Sequence, residues 1–159
     1  MPYQAVILTV SDSCAAGTRT DTSGQAIRAM LENAGFAVQA MQTVPDEEGQ
    51  ISAAIVHACD ILQADLVVTT GGTGLSPRDV TPEATLAVLD REIRAIPVAM
   101  WVEGLKSTPR AMLSRAVAGT RGHTLVLNVP GSEKAARENL GAVVATLDHA
   151  LRMLAGGGH

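Results

Sequence analysis

The chain has 159 residues, a formal net charge of −4 and 47% hydrophobic residues, yet only one Trp, one Tyr and one Phe. That length fits one domain, residues 1–159, burying roughly two-thirds of its unfolded surface around a core of Ala, Val, Ile, Leu and Met. Few aromatics and no basic run leave neither the stacking platforms nor the phosphate-directed charge of a nucleic-acid binder.

Residues 5–10 form a continuous apolar run, the pattern of a strand covered on both faces. From Ser11 to Gly24 the chain is small, polar and glycine-containing, with nothing to bury; so long a loop in a compact domain is usually functional. A helix follows over about 23–34, with Ile27, Met30, Leu31 and Ala34 on one face and Gly35 ending it. Residues 36–44 alternate as a second strand, and Ile51, Ile55, Ala58 and Leu62 stripe a helix over about 47–63. Leu66–Thr70 is a buried strand that delivers a glycine loop. After it come a short helix over 82–90, started by Thr81 as N-cap with Pro82 at the first helical position, and a helical segment over 97–106 entered through Pro97. Residues 110–119 and 124–129 flank a turn at Thr120–His123 and are expected to pair as strands. A long helix runs from near Ser132 to about 154, with Leu140, Val143, Val144, Leu147, Leu151 and Leu154 in helical spacing, and 155–159 form a frayed tail. This alternation is that of an α/β fold with a mainly parallel sheet.

No apolar run is long enough to span a membrane and no signal peptide precedes the first strand. Cys14 and Cys59, far apart in sequence, form neither a disulfide framework nor a metal pair and fit a reducing cytoplasm. The four histidines lack metal-ligand spacing.

The most informative stretch is Leu66–Thr85. A valine-rich strand runs into Gly71-Gly72-Thr73-Gly74, then Arg78-Asp79, then a helix start. Glycines take up positive φ and bring successive N–H groups onto an anion, and the crevice at strand carboxyl ends is where open α/β sheets bind ligands. The loop is neither a Walker A sequence nor a dinucleotide fingerprint, and taken alone its glycines fit a tight turn without a ligand equally well. A carboxylate beside an anion cradle calls for a cation between them, which points to phosphate with magnesium. Asp46 also sits at a strand end, where the alternative role is a helix N-cap; for Asp79 the alternative is a surface ion pair with Arg78. Pro130-Gly131-Ser132, between a strand and the long helix, offers a second anion site or an ordinary N-cap, roles that can coexist. Ser11, Asp12 and Ser13 follow the first strand and could hydrogen-bond ligands, or Asp12 could close an Asx turn.

The run Thr69–Thr85 resembles the signature of the molybdenum-cofactor-biosynthesis domain, specifically stand-alone molybdopterin adenylyltransferases of the MogA/MoaB type. The resemblance extends through Thr9–Ser13, Asp21–Gly24, Val44–Glu47, Ala111–Gly119 and Leu127–Ser132, covering roughly residues 5–150. It implies a three-layer α/β/α sandwich with a mainly parallel central sheet. It also implies transfer of AMP from ATP to the molybdopterin phosphate with release of pyrophosphate, using Mg2+. By the same resemblance Asp46 and Asp79 are the catalytic, magnesium-binding aspartates, while Ser114 and Arg115 lie near the pterin rather than on a solvated strand edge. Gly71, Gly72, Thr73 and Gly74 then cradle phosphate. The family suggests a homotrimer or homohexamer in contact with other enzymes of the pathway. Where many relatives carry a Glu-x-x-Arg pattern after a Pro-Gly turn, this chain has Arg94 and Ala95, then Val98 and Trp101. That departure bears on substrate affinity or subunit contacts and leaves open a second role, a catalytically weak pterin carrier. A third reading, an unrelated nucleotide-binding domain, would bind nucleotide without regard to pterin.

Overall fold

The computed structural model describes residues 2–157. Six strands form one sheet: β1 (Gln4–Val10), β2 (Ala37–Val44), β3 (Leu66–Thr70), β4 (Arg91–Glu92), β5 (Ala118–Arg121) and β6 (Thr124–Val129), in spatial order β2-β1-β3-β6-β5-β4. The first four in that order run parallel; β5 turns back antiparallel on β6, and β4 on β5. Among the described residues the α-helices are α1 (Asp12–Ala15), α2 (Thr22–Asn33), α3 (Glu48–Val56), α4 (Thr81–Leu86), α5 (Ala95–Leu105) and α6 (Glu133–Leu154).

Period-2 alternation along the strands divides the core. Ala5, Ile7, Leu66, Val68, Leu125 and Leu127 face Ile27 and Leu31 of α2 and Leu140, Leu147 and Leu151 of α6. Val6, Leu8, Val10, Val67 and Val126 face Ile51 and Ile55 of α3 and Ala84 of α4. Strands buried on both faces read as unbroken apolar runs, and helices on each face make the expected three layers. From β1 the sheet grows to β2 on one side and to β3 on the other, so the carboxyl ends of β1 and β3 border a topological switch point.

Several boundaries differ from the sequence reading. The loop after β1 is not without structure: it contains α1, and Ser23 and Gly24 at its end are buried. The helix expected over 47–63 is α-helical only to Val56 and widens into a π-helical turn over His57–Ile61. The helix expected to 90 stops at Leu86, and β4 follows where no strand was expected. Residues 110–117 are not a strand: Pro109–Leu113 form a 3-10 turn and only Ala118–Arg121 pair with β6. Proline at the start and the local bond from the Arg110 N–H to Thr108 Oγ1 favour the turn over a ladder. Thr81 is not a cap, because Val80 holds that position and Thr81 is fully buried inside the first turn. In the tail, the N–H groups of Ala155, Gly156 and Gly157 close α6 on the carbonyls of Leu151, Met153 and Arg152, with Gly156 at φ +89°. The rest of that tail, Gly158 and His159, lies outside the described residues.

Gly71 leaves β3 at φ +101°, and a Cβ there would collide with the Val10 carbonyl of the neighbouring strand. Backbone cannot move aside as a flexible side chain can. Gly71→Ala should therefore cost about 3 kcal/mol or more in chemical denaturation, combining left-handed strain with the clash; a loss below about 1 kcal/mol would show that β1 and β3 are not so closely seated.

Candidate active site

The four loops at the carboxyl end of the parallel strands meet at Gly71–Gly74. All four carbonyls of this segment are bonded outward. The Thr81 hydroxyl donates to the Gly71 carbonyl (2.9 Å) and the Thr81 N–H to that of Gly72 (3.1 Å). The Arg115 N–H donates to the Thr73 carbonyl (2.8 Å), and Arg115 Nε to that of Gly74 (2.8 Å). Gly71 N–H is bonded to the Val129 carbonyl (3.1 Å), but among the described residues the N–H groups of Gly72, Thr73 and Gly74 have no bonded acceptor. A loop held by its carbonyls leaves its amides as free donors, the groups that anion-binding turns use. Gly131 approaches so closely that a Cβ on it would stand 3.2 Å from Gly71 Cα, bringing the Pro130–Ser132 turn against the loop.

Beneath the loop lies a polar network sealed from water. Asn128, Thr69, Thr81 and Thr85 are all 0% exposed. Asn128 Nδ2 donates to the hydroxyls of Thr69 (2.8 Å) and Thr85 (3.1 Å), Thr85 donates to the Thr81 carbonyl (2.7 Å), and Asn128 Oδ1 accepts from the Val117 N–H (3.1 Å). Beside it, Thr70 donates to the Pro130 carbonyl (2.8 Å), so in the 2.6 Å contact between Ser23 and Thr70 the donor must be Ser23. A polar residue in the otherwise apolar run of β6 is the signal that could have picked out Asn128.

Two cavities meet at the glycine loop. The first, about 360 Å³, is polar and includes Ser11, Arg19, Asp21, Ser23, Asp46 and Thr70; the second, about 620 Å³, lies between the 3-10 turn and α6 and includes Thr73, Gly74, Leu113, Ser114, Pro130, Glu138 and Asn139. Gly72, Asp79, Gly131 and Ser132 line both. Thus Ser11, Asp46, Asp79, Gly71–Gly74, Ser114 and Pro130–Ser132 come together as one seam. Ser132 also caps α6, accepting from the Ala135 N–H (3.2 Å).

Asp12, Ser13 and Arg115 are placed differently, lining neither cavity. Ser13 Oγ pairs with Ser11 Oγ (3.1 Å). Besides the loop carbonyls, Arg115 grips the Asp79 carbonyl and forks onto Glu83 at 2.7 Å, so Glu83 does more than complement a helix dipole. Asp12 and Asp46 exchange backbone bonds: each N–H donates to the other's carboxylate, both at 2.9 Å. Arg78 does not pair with Asp79. It forks onto Asp12 (3.0 and 3.1 Å) and reaches Glu47 (3.0 Å), tying three site loops together. Asp46 is not the N-cap of α3, a position held by Glu47.

The charges are arranged unevenly. Arg78 beside Asp12 holds that carboxyl below the usual range. Burial pushes the Asp46 carboxyl up, and the charges of Asp12 and Asp79 push the same way, against the Asp12 N–H that favours the ionised form. Among the described residues no three His, Cys, Asp or Glu side chains cluster as a protein metal cage.

The 94–101 segment stands apart. Arg94, Val98 and Trp101 line a third cavity of about 460 Å³ that shares only Ser114 with the second. Arg94 is largely exposed, Val98 is 48% exposed, and the buried Trp101 Nε1 has no partner among the described residues.

Arg78→Ala should speed hydrogen exchange at the Asp12 and Asp46 amides while leaving the global denaturation midpoint nearly unchanged, since exposed ion pairs are worth little; unchanged exchange would mean the loops hold without it. Arg115 keeps the Glu83 carboxyl below the usual glutamate range, so its stabilisation is present at neutral pH and is lost as pH falls through the folded-state value. Wild type should therefore lose more melting temperature than Glu83→Gln between neutral pH and about pH 3; parallel curves would remove that pair from the acid response.

Comparison with known proteins gives a consistent picture. Residues 6–149 match the family described as probable molybdopterin binding domain. The chain is 37% identical to a molybdopterin adenylyltransferase of Helicobacter pylori strain J99, over 94% of this chain and 86% of that protein. It is 40% identical to gephyrin of Dictyostelium discoideum over 93% of this chain, but spans only 22% of gephyrin's length. The crystal structure of the molybdopterin biosynthesis enzyme MoaB from Thermus thermophilus superposes with a TM-score of 0.92 at 49% identity, covering 97% of each chain. With the same six-stranded layering and a match across nine-tenths of its length, this chain belongs to the molybdopterin-binding-domain family.

Proposed function

We propose that this protein is a molybdopterin adenylyltransferase acting in molybdenum cofactor biosynthesis. The observation that carries the reading is the seam itself. Three N–H groups without a partner among the described residues line the second cavity, that of Gly72 where it joins the first, with Asp46 on the rim of one cavity and Asp79 on the rim of both. ATP occupies the polar cavity and molybdopterin the more apolar one, so their phosphates meet at Gly72 and Gly131.

In this reading a molybdopterin phosphate oxygen attacks the α-phosphorus of ATP. The bond from that phosphorus to the bridging oxygen of the β-phosphate breaks, and pyrophosphate leaves with the electron pair. The attacking phosphate is already ionised at neutral pH, so the residues need no general base. Their work is alignment and charge neutralisation. The amides of Gly72, Thr73 and Gly74 hold phosphate oxygens, and the N-terminus of α6 faces the same charge. Two carboxylates on the cavity walls, without a third protein ligand among the described residues, fit Mg2+, which takes one or two carboxylates and completes its shell with water and phosphate. Asp46 and Asp79 would hold it, and it supplies neutralisation of the phosphate charge. The exposed apolar stripe of Val98, Val102 and Leu105 on α5 supports a homotrimeric or homohexameric assembly. Among the described residues no helix is long and apolar enough to cross a membrane, and we place the protein in the cytoplasm with the rest of the pathway.

Purified protein with ATP and Mg2+ should release pyrophosphate only when molybdopterin is added, and Asp79→Asn should slow release by about 100-fold or more while remaining folded. Pterin binding without release would make the chain a carrier, and a fully active Asp79→Asn would remove that residue from the metal site.

A further inference from the structure

Asn139 is only 4% exposed, yet it lies on the wall of the second cavity. Its amide orientation is fixed: a group facing the Ala135 carbonyl at 2.8 Å must be Nδ2, because an oxygen there would repel. Oδ1 therefore points the other way. Among the described residues no donor is bonded to it, and the sealed polar side-chain atom without a partner is Trp101 Nε1, not this oxygen. Oδ1 opens on the cavity. Its neighbour Glu138 lines the same wall, with only a loose 3.9 Å contact to the largely exposed Lys134.

We infer that Asn139 and Glu138 read the nitrogen edge of the pterin ring and set the enzyme's choice of ring system. This rests on the function proposed above and assigns a role to residues that function does not require. Asn139 Oδ1 and the Glu138 carboxylate both accept, so as a pair they select a ligand edge that offers adjacent donors. The 2-amino-4-oxo pyrimidine ring of a pterin presents an amino group next to a ring N–H. Adenine presents its amino group beside a bare ring nitrogen, which would face lone pair to lone pair. The spacing agrees. From Ser132 at the phosphate seam to Asn139 is seven residues along one helix face, about 10 Å at the helical rise, a distance that a fused pterin ring system with its phosphomethyl arm can span. Leu113 and Ala135, between those ends, supply apolar surface for the ring faces.

The experiment measures binding by calorimetry on the full chain, using 6-(phosphooxymethyl)pterin and its lumazine counterpart, in which oxygen replaces the 2-amino group. Wild type should prefer the pterin by about 10-fold or more, and Asn139→Leu and Glu138→Met should each weaken it by between about 10- and 100-fold and erase the preference. ATP affinity and melting temperature should hold. Asn139→Thr should retain most of the preference, because a threonine hydroxyl can donate to the carbonyl four residues back and still accept from the ligand. Glu138 is on the helix surface, so its variant tests the wall even if Asn139→Leu folds poorly. Wild-type preference that survives both substitutions overturns this inference alone. A wild type that binds neither compound nor molybdopterin itself overturns the proposed function and this inference together.

Discussion

An anion cradle has to leave its amides unpaired, so its shape must be enforced from the other side of the peptide. Here that task falls to Thr81 and Arg115, which between them take all four carbonyls of Gly71–Gly74. Each is itself anchored: Thr81 through Thr85 to Asn128 in β6, and Arg115 through its fork onto Glu83. The desolvation cost of sealing so many polar groups is offset because each finds a partner, and a network satisfied throughout permits few alternative arrangements. The loop is thus rigid without hydrogen bonds of its own, which is the state in which its amides can meet phosphate with little reorganisation.

The acidic groups follow a related logic. Asp12, Asp46 and Asp79 each accept a backbone N–H, but only Asp12 is also forked by Arg78; Asp46 and Asp79 have no ion pair among the described residues and face the cavities. One guanidinium separates a structural carboxylate from two available ones. The half-exposed ion pairs add little to stability. Their contribution is position.

Much of this is legible in the sequence. Unbroken apolar runs in β1, β3 and β6 point to the doubly covered sheet, and the glycines, Asp46, Asp79 and Gly131-Ser132 fall at strand ends, where they converge. What the sequence does not reveal shares a physical cause. The work of Thr81, Thr85 and Arg115 depends on which distant carbonyls they face, and no local pattern encodes that. Thr81 has the residue type and the proline neighbour of a cap, while tertiary contact claims its hydroxyl. Residues 110–117 have apolar content without a strand's ladder partner, so a proline-led turn wins locally. Asn139 is hidden inside a well-patterned amphipathic helix, where a single asparagine is unremarkable until its surroundings are known.

The wall common to both cavities has a thermodynamic corollary. Gly72, Asp79, Gly131 and Ser132 touch both spaces, so occupants of the two would lie side by side. Two anionic ligands brought to that wall repel unless charge between them is balanced, and by linkage each must change the other's affinity by the same factor. Under the proposed function, cation concentration would then set the sign of the coupling: antagonism when it is scarce, mutual reinforcement when it is plentiful. A protein with one sheet and no moving domain would in this way obtain cooperativity from proximity alone.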